Sequence, residues 1–278
     1  MDDYKTYDHW DELMASRNPD YIALCTEMHT FAYRMVTDDV DLLWRLSAAT
    51  FGTTQNMDFD KERDYIEFKT AEAKQYAEKA LRLAPCNFNA NLWMCKCLGQ
   101  LISMRMPADL EGPSAKTSMT NKLEELVPMF ELLLHHLKWC TNPEPTRMGD
   151  DWQVMLLEAQ LNLMQIEIRT YHLDSNALHN CPMLMASLKS VDLATAENNL
   201  YDVVEIKPYL IEAHFALTKV LFEERKFGEA LTAARKCLSL ERITLADHCV
   251  ARNLEQLLPT IIFKANNSGT TNTANPRE

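Results

Sequence analysis

The chain has 278 residues, of which 47% are apolar and only 6 are glycine. This composition can form a sizeable core, and the shortage of glycine disfavours hairpin-rich sheets and glycine-rich phosphate loops. The formal net charge is −12, and residues 1–60 carry 12 acidic side chains against four basic ones. Such acidity disfavours binding to nucleic acid or to an anionic membrane.

Eight cysteines are scattered along the chain. No secretory leader opens the sequence, so we expect free thiols in a reducing compartment rather than disulfides. No apolar run approaches the roughly 20 residues that cross a bilayer, and we therefore expect a soluble protein with no membrane span.

Helix signals follow an acidic, aromatic leader at residues 1–17. Asn18 and Pro19 predict the start of a helix that runs to about residue 35. Thr37 predicts the N-cap of a second helix, which we expect to end before Gly52.

Apolar periodicity predicts further helices along the rest of the chain. Their expected ranges are about 63–83, 88–104, 121–139, 152–171, 192–206, two helices within 211–242, and a capping helix at 244–258. Pro128 should either kink the helix that contains it or mark the start of that helix. Residues 105–119 are predicted to be an insertion loop, residues 172–190 to be irregular, and residues 265–278 to be a disordered tail.

Residues 211–242 resemble one tetratricopeptide unit, a repeat of about 34 residues that folds as two antiparallel helices. Leu217 and Leu221 in its first helix, and Ala230 and Ala234 in its second, occupy the positions where such helices interdigitate. The sequence therefore predicts an all-α fold, a tetratricopeptide-like solenoid of antiparallel helical hairpins with irregular insertions and a C-terminal capping helix. We expect a single array over residues 18–264.

Three segments carry a more specific resemblance. They are DDVDLLWRLSAA at residues 38–49, EAKQYAEKALRL at residues 72–83, and the following helix with Trp93. In this combination the sequence is similar to the regulator of microtubule dynamics family, over roughly residues 38–258. The resemblance implies a cytosolic protein, or a domain facing the cytosol, that associates with microtubules and contributes to spindle function and chromosome segregation, and it supplies no catalytic residues.

No pattern of catalytic or metal-binding residues favours an enzyme or a cofactor. Cys95 and Cys97 are two residues apart on a predicted helix and should point away from each other, and no second pair with zinc spacing follows. His135 and His136 are adjacent rather than three or four residues apart. Histidines on the surface or partly in the core are the expected interpretation.

The repeat at residues 211–242 provides the candidate binding surface. In such arrays the first helices line a groove, and the groove-facing positions here are Glu212, Phe215, Lys219 and Phe222, with Arg225 and Lys226 on the turn that follows. Two aromatic rings around one lysine would suit an extended peptide or an acidic tail. The alternative is that both rings pack against neighbouring and capping helices.

Two partner hypotheses follow. The first is tubulin or microtubules, bound directly or through a bridging protein, and the second is a peptide segment of another protein held by a generic adaptor. Microtubules are acidic, so a chain with a net charge of −12 needs a local basic patch for direct binding. Residues 205–264, with nine basic and eight acidic side chains, are the part of the chain that could provide it.

Overall fold

In this computed structural model, the described residues are Tyr7, Asp11, Glu27 and the ranges 38–106, 113–141, 151–170 and 191–268. Within them every regular element is an α-helix and no strand occurs, which confirms the predicted all-α fold class. None of the described helices combines the length and apolar character that crossing a bilayer requires. Apart from Glu27, the predicted helix at residues 19–35 lies outside the described residues, as does the irregular region at 172–190.

The chain divides into two compact units. The N-terminal unit comprises residues 1–149, 168–189 and 243–246, and the C-terminal unit comprises residues 150–167, 190–242 and 247–278. Each unit is described separately below. The expectation of one tetratricopeptide-like array remains a prediction.

The N-terminal unit contains four described helices, each packed on the next. They are α1 (Val40–Thr54), α2 (Arg63–Leu83), α3 (Phe88–Arg105) and α4 (Pro113–Thr141). Helix α1 also packs on α3. Ala73, Ala77 and Ala80 form a fully buried stripe along α2. Small side chains at this spacing let neighbouring helices approach closely, as the repeat pattern predicted.

Two helix boundaries in this unit differ from the predicted ones. Helix α1 is capped by Asp39, whose Oδ1 accepts from two backbone N–H groups, and it continues through the buried Gly52 to Thr54. Helix α4 begins at Pro113, inside the predicted insertion loop, because proline is favoured at a first helical position. Pro128 therefore lies within α4 rather than at its start. Pro128 is exposed. Water can therefore bond the backbone carbonyl four residues earlier, which receives no N–H from proline.

Tyr7 and Asp11 both contact α1. The guanidinium of Arg45 donates hydrogen bonds to the two carboxylate oxygens of Asp11, over 2.9 and 2.7 Å. It also lies 4.3 Å from the ring centroid of Tyr7 and 4.1 Å from that of Trp44. The hydroxyl of Tyr7 donates to Oδ2 of Asp39 at 3.0 Å. Partial burial and this carboxylate raise the pKa of Tyr7 to about 12. We call this set of contacts the leader–α1 contact.

The C-terminal unit contains the remaining helices. They are α5 (Trp152–Thr170), of which residues up to 167 belong here, α6 (Leu193–Ile206), α7 (Ile211–Glu223), α8 (Phe227–Leu238) and α9 (Leu245–Ser268), of which residues from 247 belong here. All five contribute to one core, in which Leu200, Val220 and Leu254 are fully buried. Helix α7 packs against α6 and α8.

Helix α9 is longer than the sequence predicted. It continues past the expected end at Leu258 to Ser268, with Pro259 inside it, so residues 265–268 are helical rather than part of a tail. Ile261 explains the extension, because its side chain is fully buried in the core of the unit. This tertiary contact outweighs the one backbone hydrogen bond that proline removes.

Candidate partner-binding surface

One face of α7 carries the four predicted groove positions. Glu212, Phe215, Lys219 and Phe222 are spaced three, four and three residues apart, which places them on one side of a helix with 3.6 residues per turn. All four are half-buried, whereas residues on the opposite side, such as Leu217 and Val220, lie in the core. The structure therefore brings the four predicted residues together on a surface that a partner can reach.

Aromatic rings and lysines alternate along this face. Lys219 Nζ lies 5.9 Å from the ring centroid of Phe215. The ring of Phe222 packs edge-on against that of Phe227, with 5.4 Å between centroids. Lys264 Nζ lies 5.8 Å from the centroid of Phe222 and 5.6 Å from that of Phe227. These distances are those of cation–π contacts.

We define the α7 face as the four α7 residues together with Phe227 of α8 and Lys264 of α9. Phe227 and Lys264 were missed by sequence reasoning. Phe215 and Phe222 both pack against the core of the unit, as the alternative interpretation expected, but both rings also stay half exposed. A surface of this kind combines apolar contact area with two positive charges.

Arg225 and Lys226 lie in the turn between α7 and α8, and their environments differ. Arg225 is exposed and has a positive φ of 63°, in the left-handed region that few residues other than glycine adopt. Lys226 Nζ is 2.5 Å from Glu197 Oε2 and 2.9 Å from Glu224 Oε2. Hydrogen bonds to these carboxylates raise the pKa of Lys226. The charge of Lys226 is therefore largely compensated inside the unit.

Burial shifts the pKa values of both cysteines and of His136. Burial raises the pKa of Cys97 to about 12 and raises that of Cys95 as well, so neither thiol is activated. His136 Nδ1 is 2.7 Å from Oδ1 of Asn91, and burial, followed by the neighbouring His135, lowers the pKa of His136 to about 4. Within the described part of the chain, no three His, Cys, Asp or Glu side chains are grouped so that they could hold a metal ion.

A comparison with protein families gives one match, which covers the N-terminal part of the chain. Residues 6–116 match the family described as Regulator of microtubule dynamics protein 1-3. Over these residues, the chain is similar to the regulator of microtubule dynamics family. This confirms the family that the LLWRL and EAKQYAEKALRL segments indicated. A comparison with curated proteins found no match.

The range that matches the regulator of microtubule dynamics family has a clear structural extent. It begins one residue before Tyr7, includes all of α1, α2 and α3, and ends shortly after α4 begins. The leader–α1 contact is thus part of the matched region. The α7 face lies outside it, so the family match says nothing about the role of that face.

Proposed function

We propose that this protein is a non-enzymatic microtubule-associated protein that regulates microtubule dynamics, and that it contributes in this way to spindle function and chromosome segregation. The observation that carries the proposal is the family match over residues 6–116. The proposed location is the cytoplasm, on the microtubule cytoskeleton, including the spindle and its poles. No cofactor is needed for such a role.

The α7 face is the surface that we assign to tubulin. The protein as a whole carries a net charge of −12 and is repelled by an acidic partner. At physiological salt this repulsion is screened beyond about 8–10 Å, so short-range contacts decide binding. Lys219 and Lys264 supply two positive charges beside three phenylalanine rings. Arg225, exposed at the end of α7, adds a third.

Co-sedimentation with polymerised tubulin tests the proposal. The purified chain should pellet with microtubules, and pelleting should weaken as salt rises and after proteolytic removal of the acidic tubulin tails. Pelleting that is indifferent to both changes would contradict an electrostatic contact. Absence of pelleting at micromolar tubulin would exclude direct binding and leave only a bridging protein.

A charge reversal locates the surface. Lys219→Glu replaces a positive charge in the middle of the α7 face by a negative one, and we expect it to weaken tubulin binding about tenfold, or roughly 1.4 kcal/mol. Arg235→Glu is the matched control, because Arg235 is exposed on α8 and is not part of the α7 face. Equal loss in both variants would indicate a general effect of net charge.

The second candidate function is a generic tetratricopeptide-like adaptor that binds a peptide segment of another protein. The half-exposed stripe of Phe215 and Phe222 favours it, because aromatic side chains on a helix face are typical of peptide-binding surfaces. The same variant separates the two functions. An adaptor with Lys219→Glu loses its own peptide and keeps whatever tubulin pelleting it had.

A further inference from the structure

An exposed aromatic pair lies on the outer side of α2, inside the range that matches the family model. The rings of Tyr65 and Phe68 stack with 6.3 Å between their centroids and 21° between their planes. Tyr65 is 49% exposed and Phe68 is 58% exposed, whereas Ile66, which lies between them in the sequence, is buried in the core. Two large rings that stack on each other at the surface form an apolar contact area that a partner can reach.

Acidic side chains border this ring pair. Asp64 lies one turn before Phe68 and Glu72 lies one turn after it, which places both acids on the same side of α2 as the rings. In the part of the chain that the structure describes, the exposed Asp64 carboxylate has no hydrogen bond or ion pair. Glu72 accepts from Lys69 Nζ at 2.9 Å. We call Asp64, Tyr65, Phe68 and Glu72 the α2 face.

The basic side chains near the α2 face are engaged elsewhere. Arg63 donates a hydrogen bond to the backbone carbonyl of Met104, and Arg105 pairs with Glu67 at 2.6 Å, so both guanidinium groups lie at the edge where α2 packs on α3. Lys69 is only 7% exposed and contacts both rings from the buried side, with its Nζ 5.6 Å from each centroid. Two ion pairs of 2.9 Å complete the set, Lys69 with Glu72 and Lys61 with Asp58. The outer side of the ring pair is therefore negative in character.

The leader–α1 contact shows which cation suits aromatic rings beside a carboxylate. There the guanidinium of Arg45 lies 4.3 Å from the centroid of Tyr7 and 4.1 Å from that of Trp44. The same group donates two hydrogen bonds to Asp11. A planar guanidinium can stack on rings and bind a carboxylate at once, whereas an ammonium is a compact and strongly hydrated charge. The α2 face supplies the rings and the carboxylate of this arrangement on its outer side.

We propose that the α2 face binds an arginine-bearing basic segment of a second protein, with a guanidinium stacked on the rings of Tyr65 and Phe68 and paired with Asp64. Charge complementarity favours this occupant over tubulin, whose acidic surface would meet the carboxylates of the α2 face. The inference goes beyond the proposed function, because it assigns another partner to a surface distinct from the α7 face. A basic partner is itself attracted to acidic microtubules and can therefore act as the bridging protein.

Two peptides of equal length and equal charge test the cation. They are Gly-Ser-Arg-Gly-Ser-Arg-Gly-Ser-Arg and its counterpart with lysine at each arginine position, and a chain with a net charge of −12 attracts both. With fluorescein labels and the full chain, fluorescence anisotropy should show the arginine peptide binding at least about threefold more tightly, because only the guanidinium combines stacking with paired hydrogen bonds. Equal binding of the two peptides, or no binding of the arginine peptide, would overturn the inference.

Variants of the α2 face test the residues. Tyr65→Ala combined with Phe68→Ala keeps the net charge and should weaken binding of the arginine peptide at least about fivefold. Trp139→Ala, which removes an exposed ring of α4 in the same unit, should leave binding unchanged. Asp64→Asn should weaken binding about threefold, whereas Glu125→Gln, which removes an exposed acid of α4, should not. With helix content unchanged by circular dichroism, equal losses in the variants and their controls would refute the role of the α2 face.

Failure of this inference and failure of the proposed function give different results. Tubulin pelleting without preference for the arginine peptide overturns the inference and leaves the proposed function. Arginine-peptide binding that needs the two rings, in a chain that does not pellet, supports the inference and overturns direct microtubule association. A dimer in sedimentation equilibrium that the double ring variant disperses, without preference for arginine, would assign the α2 face to a second copy of this chain and overturn the inference.

Discussion

Neutralising Asp11 tests the leader–α1 contact. Arg45 is only 8% exposed and donates two hydrogen bonds to the Asp11 carboxylate. Hydrogen bonds to charged groups contribute about 1.5–3 kcal/mol, but the Asp11 side chain is 40% exposed, so water screens the pair. Arg45 also keeps a 2.9 Å hydrogen bond to the backbone carbonyl of Asp41. We therefore expect Asp11→Asn to lower the free energy of unfolding of the N-terminal unit by about 1–2 kcal/mol.

A double-mutant cycle with Arg45→Lys isolates the pair. Lysine keeps the positive charge but cannot form two parallel hydrogen bonds to one carboxylate, so the coupling energy between the two substitutions should be about 1 kcal/mol. Urea denaturation followed by circular dichroism gives the free energies, and hydrogen exchange of residues 1–17 gives the local effect.

The ion pair of Arg242 and Glu255 serves as the control. Glu255→Gln removes the 3.2 Å ion pair between Glu255 and Arg242, whose side chains are 54% and 30% exposed, respectively. It should lower the free energy of unfolding by no more than about 0.5 kcal/mol. If Asp11→Asn costs no more than this control and leaves hydrogen exchange of residues 1–17 unchanged, the leader is not held by Arg45.

Two further predictions concern buried groups of the N-terminal unit. The pKa of His136 is lowered to about 4 in the folded state, below its ordinary value near 6.5. Between these two pH values the unfolded state binds more protons than the folded state. The free energy of unfolding should therefore fall by about 1–2 kcal/mol as pH drops from 6.5 towards 4. Urea titrations at several pH values check this, and His136→Asn should flatten the profile; an equally steep profile in the variant would assign the effect to other groups. Cys86 is exposed whereas Cys97 is buried with a raised pKa, so iodoacetamide should alkylate Cys86 first in the native protein and Cys97 only after unfolding, as read by mass spectrometry. Comparable native rates would contradict the packing of Cys97 between helices.

Local sequence signals predicted the helices wherever local and tertiary preferences agree. The helix predicted at residues 63–83 from its alanine spacing is observed over Arg63–Leu83. The polar turn after residue 223 separates α7 from α8, as expected. One difference is the start of α1, where Asp39 rather than Thr37 is the cap, and two others lie at or next to prolines. Pro113 starts a helix inside the predicted loop at residues 105–119. Pro259 follows the predicted helix end at residue 258 but lies inside a helix that Ile261 holds in the core.

The candidate site was predictable only along a single helix. The repeat register identified Phe215, Lys219 and Phe222, because residues three and four apart share a helix face. Lys264 lies 42 residues after Phe222, and periodicity within α7 contains no information on which distant side chain packs beside it. The Asp11–Arg45 pair, separated by 34 residues, was out of reach for the same reason.

Asp39 links two events at the start of the family-matched region. Its Oδ1 accepts from the backbone N–H groups of Asp41 and Leu42, at 2.8 and 3.3 Å, while its Oδ2 accepts from the Tyr7 hydroxyl. Because one carboxylate serves as helix cap and as tyrosine acceptor, docking of Tyr7 orients the cap, and a formed cap presents the acceptor. Formation of the first turn of α1 and docking of Tyr7 should therefore favour each other.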